Sequence, residues 1–154
     1  MFVALAMIFS YVEVLIPINL GIPGMKLGLA NLVVVVTLYV LGVKTAFAVS
    51  IIRIILVSMT FGSLSAMLYS MAGGLLSFAG MVLFKKIRAL SVVGVSVIGG
   101  VLHNAGQVIV AMAVVENVML VSYFPPLMIA GTITGALIGI VSSNVIPRVK
   151  PVMK

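Results

Sequence analysis

Cysteine and aspartate do not occur in the 154 residues, and lysine, arginine and glutamate together supply only eleven charged side chains. Without cysteine there is no disulfide framework and no thiolate metal site. One histidine and two distant glutamates cannot close a metal coordination shell. No Walker A pattern is present, so ATP would have to be used by another polypeptide. No catalytic residue and no cofactor is expected. Charged residues make up 7% of the chain against the roughly 25% of soluble domains. With 64% hydrophobic residues and a mean hydropathy of +1.44, the chain reads as an integral membrane protein. A pI near 10.2 would suggest nucleic acid in a soluble chain. Here the basic residues cluster at segment ends, where anionic headgroups and membrane topology account for them, so no nucleic-acid partner is expected.

What is present is apolar sequence in long runs. A bilayer core of about 30 Å needs about 20 apolar residues per helix. Cutting at glycine, proline and charge gives six candidate spans: 2–18, 27–41, 45–61, 63–84, 89–115 and 119–146. The runs do not alternate as barrel strands do, so the expected fold is an all-α bundle of six transmembrane helices in one domain, 1–154. The first segment has no basic n-region, and its Ala-x-Ala at Ala4 to Ala6 comes too early for cleavage, so it reads as a retained span. With the N-terminus inside, the cytoplasmic side holds Lys44, Lys85, Lys86, Arg88, Arg148, Lys150 and Lys154. The outer loops hold only Lys26, which predicts cytoplasmic termini.

Small residues recur at helix-packing spacing, most clearly Gly131, Gly135 and Gly139. Intramembrane polar groups are expensive, and each is a functional candidate. In the expected orientation Glu13, Lys26, Asn31, Arg53 past the middle of the third span, and His103, Asn104 and Gln107 all fall in the central to outer part of the membrane. His103 and Gln107 are four apart and share a helix face. Arg53 is expected either to pair with Glu13 or to anchor an anionic group, since its donor fork never loses its charge. Asn31 suits a helix-to-helix hydrogen bond or the pocket, and Tyr69 an interfacial position or a pocket wall. Glu116 and Asn117 read as solvated loop residues. A channel would show polar lining through the full depth, and a proton-driven carrier an ionisable relay reaching both sides. One outward pocket closed toward the cytoplasm fits these positions better.

The runs IPGMKLGLAN (Ile22 to Asn31), LYSMAGGLLS (Leu68 to Ser77), GVSVIGGVLHNAGQ (Gly94 to Gln107) and GTITGALIG (Gly131 to Gly139), together with Arg53, resemble one family. It is the Gx transporter family, which also carries the name heptaprenyl diphosphate synthase component I. It is similar in turn to the substrate-binding S components of energy-coupling factor importers. The resemblance implies a small-molecule cargo and a pocket in the outer half, with the first loop, including Pro23 and Gly24, acting as a lid. It also implies a transmembrane coupling subunit, two ATPase subunits, and a multi-pass location among the lipids of a prokaryotic cell membrane. S components dock through small residues spaced by four on the first helix, and here only Ala6 and Ser10 fit that pattern. The synthase name implies magnesium held by aspartate-rich motifs, which a chain without aspartate cannot build. A membrane accessory subunit of isoprenoid synthesis and a stand-alone secondary carrier are the rival readings.

Overall fold

A computed structural model describes residues 1–15 and 29–153, with Val14 described by its backbone alone. Pro23, Gly24 and Lys26, with residues 16–18 and 27–28 of the expected first two spans, lie outside the described residues. The chain is all-helical: α1 (Phe2–Leu15), α2 (Leu29–Val40), α3 (Val43–Phe61), α4 (Leu64–Lys85), α5 (Val92–Val115) and α6 (Phe124–Val149). A 3-10 helix, Val118–Tyr123, precedes α6. By length and composition, α3, α4, α5 and the run Val118–Val149 are able to cross a membrane, while α1 and α2 are shorter apolar helices.

The outer surface explains why this bundle suits lipid. On α6, Ile129, Ile133, Leu137 and Ile140 are all more than half exposed, whereas Gly131, Gly135, Ile138 and Gly139 on the opposite side are buried. Such an inverted stripe would be an aggregation surface in water. Against acyl chains it costs nothing, and the small residues then face the bundle, where they allow close packing.

α2 is the centre of the molecule. Ala30 and Val33 through Leu38 are all buried, so the helix meets protein on every side. Four consecutive valines would favour a strand in water. Here the helix wins because it satisfies every backbone group internally, which an apolar environment demands. The 12 described residues of α2 run about 18 Å, and the helix ends one residue before the expected limit at Leu41. It ends at a two-residue turn whose Gly42 has φ +91°, a conformation that side chains with a Cβ rarely adopt. Ser63 and Ser91 start α4 and α5 by accepting hydrogen bonds from the amides of Ala66 and Gly94, both at 3.2 Å.

The sixth expected span, 119–146, differs at both ends. Pro125 and Pro126 are suited to the first turn of a helix, so α6 begins at Phe124 and the residues before it tighten into the 3-10 turn. Asn117 is exposed, as expected of a solvated loop residue, and its side chain also accepts a hydrogen bond from the amide of Met119 at 2.9 Å and caps that turn. At the other end α6 continues through Pro147 to Val149, since a proline in the last turns removes only one helical donor.

Glycines set the arrangement of α4, α5 and α6. A Cβ on Gly100 would lie 2.4 Å from the Gly131 carbonyl oxygen, one on Gly135 2.7 Å from the Val97 Cα, and one on Gly139 2.6 Å from the Val93 Cα. The descending numbers on α5 against ascending numbers on α6 make the pair antiparallel, backbone against backbone. Gly106 meets the backbone of Ala72 and Gly73 in the same way, and Gly99 meets the side chains of Met81 and Ser77, which makes α4 and α5 antiparallel as well. By contrast Ala6, Val33 and Val49 join α1, α2 and α3 through side chains. Ala6 and Ser10 are both turned inward and buried, so this pair does not form an exposed docking face.

One end of the bundle is basic. The Lys85 Nζ donates to the Leu38 carbonyl at 2.6 Å and lies 4.6 Å from the Tyr39 ring centroid. The charge of Lys150 acts on Lys85, so the last turns of α2, α4 and α6 meet there. Lys44 opens α3 two residues after the same turn, and Lys86 and Arg88 follow α4. Lys85→Met removes a charge-assisted bond to a helix-terminal carbonyl and is expected to lower stability by about 1.5–3 kcal/mol. Thermal unfolding followed by circular dichroism in detergent checks this.

Candidate functional site

Between α1–α3 on one side and α4–α6 on the other lies a cavity of about 100 Å³. Six of the residues expected to bind substrate line it: Glu13, Asn31, Arg53, His103, Asn104 and Gln107. They come from four helices far apart in sequence and meet because each sits at a matched depth. Glu13 lies in the last turn of α1, Asn31 in the first turn of α2, Arg53 just past the middle of α3, and the others in the central part of α5. Toward the basic end the cavity stops at Val35, Met81 and Ile138, which belong to a buried apolar cluster with Leu38, Phe78 and Val95. The site is thus a blind pocket with polar walls and a floor that is apolar apart from the buried Ser96.

Arg53 organises its polar side. Its Nη2 donates to the Asn31 Oδ1 at 3.4 Å, a long bond that ties α3 to α2. Glu13 is the carboxylate whose charge acts on the guanidinium. Both expectations for Arg53 can be met at once, because the side chain has five donors and the structure uses them unevenly. The buried Nε finds no hydrogen-bond partner among the described residues. A buried donor left without an acceptor costs about 1–3 kcal/mol. A ligand that offers an oxygen there recovers that cost.

On α5, His103 and Gln107 face α4 across Gly73. A Cβ at Gly73 would come within 3.0 Å of the His103 Nδ1 and the Gln107 Cγ. The glycine therefore makes room for both polar side chains. Asn104 points toward α6, where its Nδ2 donates to the Leu127 carbonyl at 2.6 Å, and Gly131 leaves space for that amide. Asn104 thus holds α6 in place with its donor and presents its remaining surface to the pocket. Asn104→Leu is expected to cost about 1–3 kcal/mol by leaving the Leu127 carbonyl without this partner, with thermal unfolding in detergent as the measurement.

Tyr69 is not in this pocket. It lines a second, mostly apolar cleft of about 310 Å³ with Val108, Ala111, Leu120, Tyr123 and Leu127. Ser10, expected as a packing residue, contributes to the polar pocket, as do Ser58, Ser70 and Thr134, which the sequence reading passed over. Their only signal was small polar residues inside apolar spans, which is also the signature of ordinary helix packing. Gly99, Gly100 and Gly135 line the pocket as well as joining helices. Glu116 is an exposed, left-handed cap at the end of α5. Among the described residues no group of side chains forms a metal site.

No curated protein and no solved structure matches the chain. The family model described as heptaprenyl diphosphate synthase component I matches residues 2–145, nearly the full length, and the chain belongs to that family.

Proposed function

We propose that this protein is the substrate-binding membrane subunit of an energy-coupling-factor type importer, with six membrane segments and both termini cytoplasmic. It takes a small organic nutrient or precursor from outside the cell, and the ATPases reside in partner subunits. The observation that supports this reading best is the blind pocket: costly polar groups gather in the half of the bundle away from the basic end, and an apolar core closes the path beyond them. A basic end is the cytoplasmic end by the positive-inside rule, which makes the pocket outward-facing. A receptor needs such a pocket, and a channel needs the opposite. The chain carries out no chemistry itself in this reading.

Purifying the tagged protein from its native membrane tests the assignment. A transmembrane coupling subunit and two ATPase subunits should come with it, and uptake should need them. Uptake in vesicles holding this chain alone would instead identify a secondary carrier. The family name favours a second reading, a membrane accessory subunit of prenyl diphosphate synthesis. Prenyl synthase activity that disappears from membranes when the chain is deleted would establish that one.

A further inference from the structure

The polar pocket and the apolar cleft have a common wall. Gln107 lines both, and the Asn104 to Leu127 hydrogen bond lies between them, since Asn104 faces the pocket and Leu127 the cleft. Along α5 the order is regular: His103, Asn104 and Gln107 on the pocket, then Gln107, Val108 and Ala111 on the cleft, one turn further from the basic end. The two spaces have opposite chemistry. The pocket offers the buried Arg53 Nε, without a partner among the described residues, and several amide and hydroxyl groups. The cleft offers two tyrosine rings and aliphatic side chains, with little polar surface apart from Gln107.

Resting on the receptor reading above, we propose that the two spaces form one bipartite site for an amphiphile, with an anionic head at Arg53 and an apolar tail in the cleft between Tyr69, Ala111 and Leu120. An anionic oxygen gives the Arg53 Nε the acceptor it lacks among the described residues, and charge-assisted bonds of this kind are the strong ones. The tail occupies the cleft because it leaves the head past Gln107, the residue that both spaces share. A wholly polar cargo would use the pocket and leave the cleft without a role. A bare hydrocarbon would gain nothing from the Arg53 side.

Ethyl, butyl, hexyl and octyl phosphate, with the matching carboxylates and neutral alcohols, serve as probes. Their binding is measured by calorimetry on the full-length protein in lipid nanodiscs, with empty nanodiscs subtracted. Affinity for the anions should rise about fourfold per added methylene until the cleft is filled, and the alcohols should bind at least tenfold more weakly than the anions of equal length. The phosphate and carboxylate series together show which anionic head is preferred. Ala111→Phe, which fills the cleft from α5, should shorten the chain length at which affinity stops rising. Leu120→Ala, which enlarges the cleft from the 3-10 turn, should lengthen it. The same chain-length profile in all three proteins overturns the tail assignment, and equal binding of alcohols and anions overturns the head assignment. Either failure leaves the importer reading intact if the coupling subunits still co-purify, and loss of those subunits removes the importer reading without touching the chain-length result.

Discussion

Leucine at Gly135 leaves no stable protein to purify, and even alanine there lowers stability by about 1–3 kcal/mol. The reason is the identity of the neighbours. A Cβ on Gly135 meets the Val97 Cα at 2.7 Å and the Ser96 carbonyl oxygen at 2.8 Å, both backbone atoms that no rotamer change can move. Relief requires α5 and α6 to separate, which breaks the contacts of Gly100 and Gly139 along the same line. Leu137→Ala, on the lipid-facing side of α6 at 56% exposure, provides the control and should stay within about 0.5 kcal/mol of the parent. Thermal unfolding by circular dichroism separates the two outcomes. A Gly135→Leu protein that melts like the parent would mean that α5 and α6 are not packed through their backbones.

Arg53 and Glu13 are expected to be worth more together than the sum of their parts. Arg53→Gln removes a positive charge that acts on the Glu13 carboxylate, and Glu13→Gln removes the negative charge that acts on the guanidinium. Each single change should destabilise, because removing one member of a desolvated pair leaves the other uncompensated. The double variant should recover part of the loss, with a coupling on the order of 1–3 kcal/mol. Strict additivity in the four melting curves would show that the two side chains do not sense one another. Arg53→Lys tests a different property. Lysine keeps the charge but not the planar fork, so it should retain much of the stability and still lose ligand affinity by about tenfold or more.

The polar constellation was legible because a membrane makes polarity costly. Converting position to depth placed Glu13, Asn31, Arg53, His103, Asn104 and Gln107 in the central to outer part of the membrane, and the structure brings all six to one cavity. The same logic failed where cost carries no signature. The valines of α2 look like any lipid-facing run, yet they form the buried centre of the bundle. Tyr69 suits either an interface or a pocket wall, and its actual cleft depends on the 3-10 turn that the paired prolines impose. Asn104 has a backbone carbonyl as its partner, and no sequence pattern marks which carbonyl of a distant helix that will be. Ala6 and Ser10 have docking-face spacing, but burial against α2 and α3 is also what small residues four apart provide.

The two walls of the pocket differ in how freely they can be rewritten. On the α4–α6 wall, Gly100 and Gly135 are clamped by backbone atoms closer than 3 Å to any added carbon, so that part of the wall admits almost no new shape. On the other wall, Ile54, Val57 and Phe61 meet the cavity through ordinary side chains, which exchange volume at modest cost. A descendant of this chain that acquired a different cargo would carry its substitutions on α3, and Gly100 and Gly135 would be left where they are.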